Sequence, residues 1–398
     1  MRSGTLTKLA DVCESVRYGY TASASLEPCG PHFLRITDIV PDSLDWESVP
    51  YCEIDDTDRE RFALSVGDIV VARTGATVGY AKLIRDPADA VFASYLVRFR
   101  MDTAKADPAF VGRLVESHVY KAFVQSRIGG AAQPNASAPV LGSFEFPLPS
   151  RHAQARIADI LSAYDDLIEN NRRRMTLLEE AGRQLYREWF VRLRFPGHEH
   201  TRISNGVPEG WEKKRLSDVA DVNKESLRGS YDGEIDYIDI SSVTPGSINM
   251  TAHYDFRDAP SRARRIVKHG DIIWSCVRPN RRSYAVIWQL SRNLIASTGF
   301  AVITPNAVPT SFLIQATTTD GFVGYLENHA RGVAYPAVVA SDFERAEILV
   351  PRGPLLSAFN DVAEPILAQT HTLRLQNEKL RAARDLLLPR LMSGEIAV

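Results

Sequence analysis

The sequence predicts an α+β protein made by internal duplication. Two similar strand-rich domains are joined by two long helices, which pair as an antiparallel coiled coil with pseudo-twofold symmetry. Three observations lead there. The chain repeats itself at about half its length. Short apolar runs in each copy are punctuated by Gly, Pro, Asp and Asn. Each copy closes on a stretch whose seam residues recur at alternating intervals of four and three.

The repetition is direct. LTKLADV (6–12) returns as KKRLSDVADV (213–222), and FLRITDIVP (33–41) as YIDISSVTP (237–245). LSVGDIVVARTG (64–75) returns as IVKHGDIIWSCVRP (266–279). AQPNASAPV (132–140) returns as AYPAVVASD (334–342), and FEFPLPS (144–150) as AEILVPR (346–352). Leu9 to Leu216 is 207 residues and Pro134 to Pro336 is 202, a drift that small loop insertions produce. Such a period is too long for a solenoid and marks duplication of a whole domain with its helix. The boundaries expected are 1–150 for the first domain, 151–200 for a central helix and linker, 201–352 for the second domain and 353–398 for a C-terminal helix.

Within the strand-rich parts, runs such as FLRITDIV, DIVVA and VFASYLVRF, and IDYIDIS, DIIWSC and SYAVIW, read as strands between turn signals. Helical patches such as 108–126 interrupt them, which gives α+β. The central helix carries a seam of Ile157, Leu161, Tyr164, Ile168, Asn171, Met175, Leu178, Gly182, Leu185 and Trp189, a sustained heptad. Residues 152–192 as one helix would span about 60 Å at ~1.5 Å per residue. In the C-terminal copy one line of the seam is apolar (Ile366, Leu373, Leu380, Leu387) and the other polar (Thr370, Asn377, Arg384), which predicts a weaker zipper. Pro365 is expected to kink it. Asn171 in the seam is expected to fix register, and Gly182 to let the backbones approach.

Composition places the chain among ordinary globular proteins: 44% hydrophobic, 24% charged, net charge −2. There is no apolar stretch of membrane-spanning length and no signal-peptide pattern, so a cytoplasmic protein is expected, without membrane contact. Cys13, Cys29, Cys52 and Cys276 have no metal-ligand or CxxC spacing and read as reduced thiols. HEH at 198–200 reads as a linker and not a metal site. A near-neutral chain lacks the footprint of a simple nucleic-acid binder. Residues 257–282 nevertheless hold eight basic residues against two acidic ones, which predicts a local anion-binding face.

RTGATVGY (73–80), after the apolar run GDIVVA, has the look of a phosphate-holding loop. Its duplicate, VRPNRRSY (277–284), has no glycine, and neither ends in the Lys-Ser/Thr of a P-loop. A framework kept twice with its contents changed is what two readers of different targets would show. Arg pairs with guanine O6 and N7, Asn or Gln with adenine, and Thr, Ser and glycine N–H groups with phosphate. The candidate DNA-binding residues are therefore Thr37, Asp38, Arg73, Thr74, Gly75, Thr77, Tyr80, Lys82, Gln133 and Asn135 in the first copy. In the second they are Ser241, Ser242, Arg278, Asn280, Arg281, Arg282, Tyr284, Arg331 and Tyr335. Tyr80 and Tyr284 read more readily as half-buried loop anchors, and Gly67-Asp68 and Gly270-Asp271 as structural turns.

Several segments together resemble the DNA-specificity (S) subunit of Type I restriction–modification systems. They are the GDIVVARTG run (67–75), QPN (133–135), FPLPSRHAQARIADILSAYDDLIENNRRR (146–174), LYREWF (185–190), PEGWEKKRLSDVADV (208–222) and RDLLLPRLMSGEI (384–396). The resemblance implies that each strand-rich half is a target-recognition domain reading one half of a split, asymmetric site on double-stranded DNA. It implies that the helices set the spacing and dock two methyltransferase subunits, with a restriction/translocase subunit joining them. No catalytic residue and no cofactor are expected in this chain. S-adenosylmethionine would belong to the modification subunits, and ATP and Mg to the restriction subunit.

Independently, the sequence holds no amino-methyltransferase motif, P-loop, zincin motif or nucleophile elbow. Other readings remain: the same module in a methyltransferase-only assembly, an enzyme using RTGATVGY as a phosphate cradle, and a coiled-coil scaffold without a DNA role.

Overall fold

The computed structural model describes residues 5–40, 44–128, 134–227, 229, 231–288, 293–393 and 395–396. The chain divides into two compact units, Met1–Asn171 with Gln376–Val398, and Arg172–Leu375. This division cuts both long helices at mid-length, not at their ends, because each strand-rich part packs on its own half of the helix pair.

In the first unit, Cys13–Tyr18, Leu96–Met101, Ile69–Ala72 and Ala81–Leu83 form an antiparallel sheet in that order. Thr5–Lys8 pairs with Glu145–Leu148, and His32–Leu34 runs parallel to Ala90–Phe92. Both faces of Ile69–Ala72 are covered. Ile69 and Val71 pack with Phe99 and Phe110, while Val70 and Ala72 pack with Phe33 and Phe92. That is why this strand reads as an unbroken apolar run and not an alternation.

The second unit repeats this plan. Ala220–Val222, Phe300–Pro305, Ile272–Ser275 and Tyr284–Val286 form the matching sheet. Glu212–Arg215 pairs with Glu347–Val350, and Glu234–Ile238 runs parallel to Leu294–Ser297. Flanking strands Ala252–Asp255 and Ala263–Ile266 and a short hairpin are added. The two Gly-Asp turns are structural, as expected. Gly67 and Gly270 have φ of 89° and 87°. Asp68 and Asp271, almost fully buried, accept from the Ser65 and Lys268 backbone N–H at 2.8 and 2.7 Å.

The central helix runs Arg151–Tyr186 and continues through a π-helical turn, Arg187–Val191. That turn, part of the LYREWF motif, drives Phe190 against Phe312 and Phe359, with ring centroids 5.1 and 5.0 Å apart. The C-terminal helix runs Gly353–Ser393 as one element that continues past Pro365. The pairing is antiparallel in each unit. In the first, Asp165 meets Arg384 and Asn171 meets Asn377. In the second, Glu179 meets Arg374 and Tyr186 meets Phe359.

Of the central seam, Ile157, Leu161, Ile168 and Asn171 are buried, and Tyr164, Met175, Leu178, Leu185 and Trp189 half-buried. The C-terminal helix corrects the expectation. Its polar line is the better buried, with Thr370 6% and Asn377 2% exposed, whereas Ile366, Leu380 and Leu387 are only half-buried. Leu373 is buried, as are Leu388 and Leu391, neither of which lies on the apolar line. The helix turns its polar line inward because Asn377 has a partner there in Asn171. Gly182 does not enforce close approach either. A Cβ there would stand 3.5 Å from Gln315 Nε2 and 3.8 Å from Ile366 Cγ2, which is ordinary contact.

Candidate nucleic-acid interface

The turn after Ile69–Ala72 is held by main-chain bonds on three sides. Arg73 N–H donates to Tyr95 O (3.0 Å), Gly75 N–H to Pro134 O (3.0 Å) and Ala136 N–H to Arg73 O (2.8 Å). Inside the turn, Val78 N–H donates to Gly75 O, Gly79 N–H to Ala72 O and Tyr80 N–H to Thr77 O. The glycine N–H groups that a phosphate cradle would offer are thus already spent. Arg73 lies over the Tyr18 ring at 4.7 Å and donates to Asn135 Oδ1 at 3.2 Å. The Tyr18 hydroxyl accepts from Ala138 N–H at 2.9 Å. Thr74 bridges Asn135.

The second unit draws the same frame. Cys276 N–H donates to Gly299 O (2.8 Å), Arg278 N–H to Pro336 O (2.7 Å) and Val338 N–H to Cys276 O (2.9 Å). Val277 bridges Ala337 as Thr74 bridges Asn135. Cys276 therefore stands at the place of Arg73, Arg278 at Gly75, Asn280 at Thr77, Arg282 at Gly79 and Gly299 at Tyr95. Gly75 and Gly79 have φ of 79° and 86°; Arg278 and Arg282 have 51° and 52°. Two left-handed glycines have become two left-handed arginines, each at a cost of about 1–2 kcal/mol for a residue with a Cβ. A Cβ on Gly75 would meet nothing within 4 Å, so a side chain at that place leaves the surface. Arg278 does so, lying over the exposed ring of Tyr335 at 4.7 Å and donating to Ala334 O at 3.2 Å.

The other expected residues divide. Thr77, Asn280 and Arg281 lie in the two turns, the last two exposed. Arg331, exposed, bridges Ala337 beside Arg278's partner segment. Arg282 is tied to Asp320 and donates to Thr318 O. Gln133 lies outside the described residues.

Some candidates sit in structural positions instead. Asp38, its side chain 8% exposed, caps its own short helix by accepting from Arg35 N–H at 2.8 Å, with Thr37 beside it. Ser242 is buried, and Ser241 donates to Asp239. Lys82 stands beside the buried Glu116 and not at the turn, because the strand carries it away. Tyr80 is packed under Lys121, whose Nζ is 3.9 Å from the ring. Tyr284 is not its counterpart. Main-chain pairing equates Tyr80 with Ser283, since Ala72 N–H donates to Tyr80 O and Ser275 N–H to Ser283 O. Tyr284 begins the strand, with its ring 5.4 Å from Trp274.

The basic stretch 257–282 is partly paired within the fold. Arg257 is paired with Asp255, Lys268 with Glu225 and Arg282 with Asp320, and Arg264 lies over Phe256. Three of the eight charges are met by acidic partners and a fourth lies over an aromatic face, which the sequence count could not reveal. Burial pushes the thiols of Cys52 and Cys276 up to about 11 and that of Cys13 to about 12, so none is poised as a thiolate nucleophile. Among the described residues no three His, Cys, Asp or Glu converge as a metal site, and no helix is long and apolar enough to cross a membrane.

Residues 6–180 match the Type I restriction modification DNA specificity domain. Over most of its length the chain is similar to Type I restriction–modification specificity subunits. It is 24% identical over 353 residues to the Type I restriction enzyme MjaIX specificity subunit of Methanocaldococcus jannaschii, covering 84% of this chain and 76% of that one. It is 21% identical over 345 residues to the HindI specificity subunit of Haemophilus influenzae, covering 70% and 74%. Its fold is similar to that of a Type I restriction–modification S subunit from M. genitalium, with TM-score 0.56, 15% identity, and 98% and 96% of the two chains covered.

Sequence reasoning missed two aromatic residues at the first turn. Tyr18 supports the Arg73 guanidinium, and Tyr95, 60% exposed, lends its carbonyl to Arg73. The only signal was a Tyr at each strand end, which the loop motif does not contain.

Proposed function

We propose that this chain recognises DNA sequence for a Type I restriction–modification assembly, each strand-rich part reading one half of a split, asymmetric site. The observation that carries the reading is the turn described above. One main-chain frame is kept in both units while its side chains differ: Arg73 and Tyr95 in one, Arg278 in the other. Base-edge contacts carry sequence information, and Arg is suited to guanine. The paired helices set the separation of the half-sites and dock two methyltransferase subunits. Joining two modest readers makes the second contact intramolecular and raises affinity. Methyl transfer from S-adenosylmethionine belongs to those subunits, and ATP- and Mg-dependent work to a restriction subunit. This chain contributes no reacting group. The near-neutral charge accords with partners supplying much of the phosphate contact.

The test uses the chain assembled with its methyltransferase subunits on DNA carrying the site. Arg278→Ala should relax base preference in one half-site only, by about 1–3 kcal/mol at the affected position. Equal relaxation of both halves would refute the division of labour.

A further inference from the structure

The second unit holds a cavity of about 290 Å³ between its half of the helix pair, the helix Thr310–Thr317 and the strand Tyr284–Val286. Two polar atoms of its wall have no hydrogen-bond partner among the described residues: Thr370 Oγ1 and His371 Nε2. Thr370 is 6% exposed. Buried hydroxyls in folded proteins are as a rule hydrogen-bonded, so an unpartnered one on a cavity wall points to a polar ligand group.

In the first unit the matching positions are occupied by charge: Asp165 is gripped by Arg384 (2.6 Å), Arg85 (3.1 Å) and Arg113. Shifted by 202 or 203 residues, Arg384 becomes Gly182, Arg113 becomes Gln315, Asp165 becomes Leu367 and Arg85 becomes Trp288. An ionic cluster has been exchanged for an empty glycine position, an amide, an aliphatic and an indole, all four lining the cavity. The indole is set by the His269 ring, 4.6 Å away and edge-on.

The wall selects the ligand. Arg374 offers N–H donors. Glu179, 44% exposed and 3.8 Å from Arg374, offers an acceptor edge. Arg374 and Arg183 disfavour a cation and Glu179 disfavours a phosphate. What remains is a flat, neutral ring system with donors and acceptors on its edge. The volume, at the lower end of small-ligand cavities, limits it to about a nucleoside.

We propose that this cavity binds a purine nucleobase or nucleoside, its face against Trp288 and its edge between Glu179 and Arg374, completed by Thr370. This site is separate from the DNA-facing turns. Adenosine and guanosine are titrated into the full chain by calorimetry, with cytidine, inorganic phosphate and L-arginine alongside. One saturable site for a purine nucleoside is expected. Gly182→Leu fills the cavity, and Thr370→Val removes only the hydroxyl. Each should weaken purine binding about tenfold or more, the worth of one buried polar contact. A melting temperature equal to or above that of the parent certifies folding in each variant. No saturable purine binding, binding unchanged in both folded variants, or binding of L-arginine in preference to purines, as a docking pocket for a partner's side chain would give, overturns the proposal.

Discussion

Asn171 donates its side-chain amide to Asn377 Oδ1 at 2.9 Å, and Asn377 donates in turn to the Ile168 carbonyl at 3.2 Å. Both residues are buried, so each amide depends on the other. Asn377→Leu alone should destabilise the chain by about 1–3 kcal/mol, because Asn171 is left without its acceptor. The double Leu variant should recover much of that loss. Urea denaturation of both single variants and the double variant measures the coupling directly. Additive losses would mean that the pair is not a unit.

Arg278 occupies a backbone conformation that glycine tolerates and arginine resists. Arg278→Gly should therefore stabilise the fold by about 1 kcal/mol while Arg278→Ala, which keeps a Cβ, should not. Both should lose the same half-site preference. Melting temperature and DNA binding of the assembled complex separate strain from recognition.

Asp165 receives Arg85, Arg113 and Arg384, and Arg113 is only 7% exposed. Asp165→Asn should cost about 3 kcal/mol or more, chiefly through the buried guanidinium left uncompensated. Arg85 is 44% exposed, so Arg85→Ala should cost far less, on the order of 0–1 kcal/mol. Denaturation midpoints of the two variants decide the order.

Burial holds His371 below its ordinary value of 6.5, assisted by Arg374 and His269. A lowered folded-state value means that the unfolded chain binds the proton more readily. The stability His371 contributes is therefore present above about pH 6.5 and declines as pH falls below it. Glu179, raised by burial, acts in the opposite sense at lower pH. The readout is accordingly the difference between the parent and His371→Gln. The parent should lose more stability between pH 7.5 and 5.5, and parallel curves would refute the role.

The duplication, the main strand runs and the central seam were legible because they rest on residue type at a fixed period. What was not legible depends on geometry that residue type does not encode. The absence of glycine in VRPNRRSY read as a different loop, yet Arg278 and Arg282 keep the left-handed backbone of Gly75 and Gly79. Tyr80 and Tyr284 aligned by letter but sit one place apart in the sheet, one packed at the turn and the other on an edge strand. Thr370 and Asn377 looked like a flaw in a zipper, although burial with a partner in Asn171 makes Asn377 part of it. Seven of the candidate contacts (Thr37, Asp38, Tyr80, Lys82, Ser241, Ser242, Tyr284) are caps, anchors or strand residues with partners inside the fold, although Thr37 and Ser241 remain exposed.

Because the same peptide-group bonds frame both turns, that frame closes over different amino acids at the tips, with backbone strain where arginine stands in place of glycine. Mutation can exchange glycine for arginine, or arginine for cysteine, and the joint still closes. Such a molecule can acquire a new preference by drift, one substitution at a time, without passing through a misfolded intermediate.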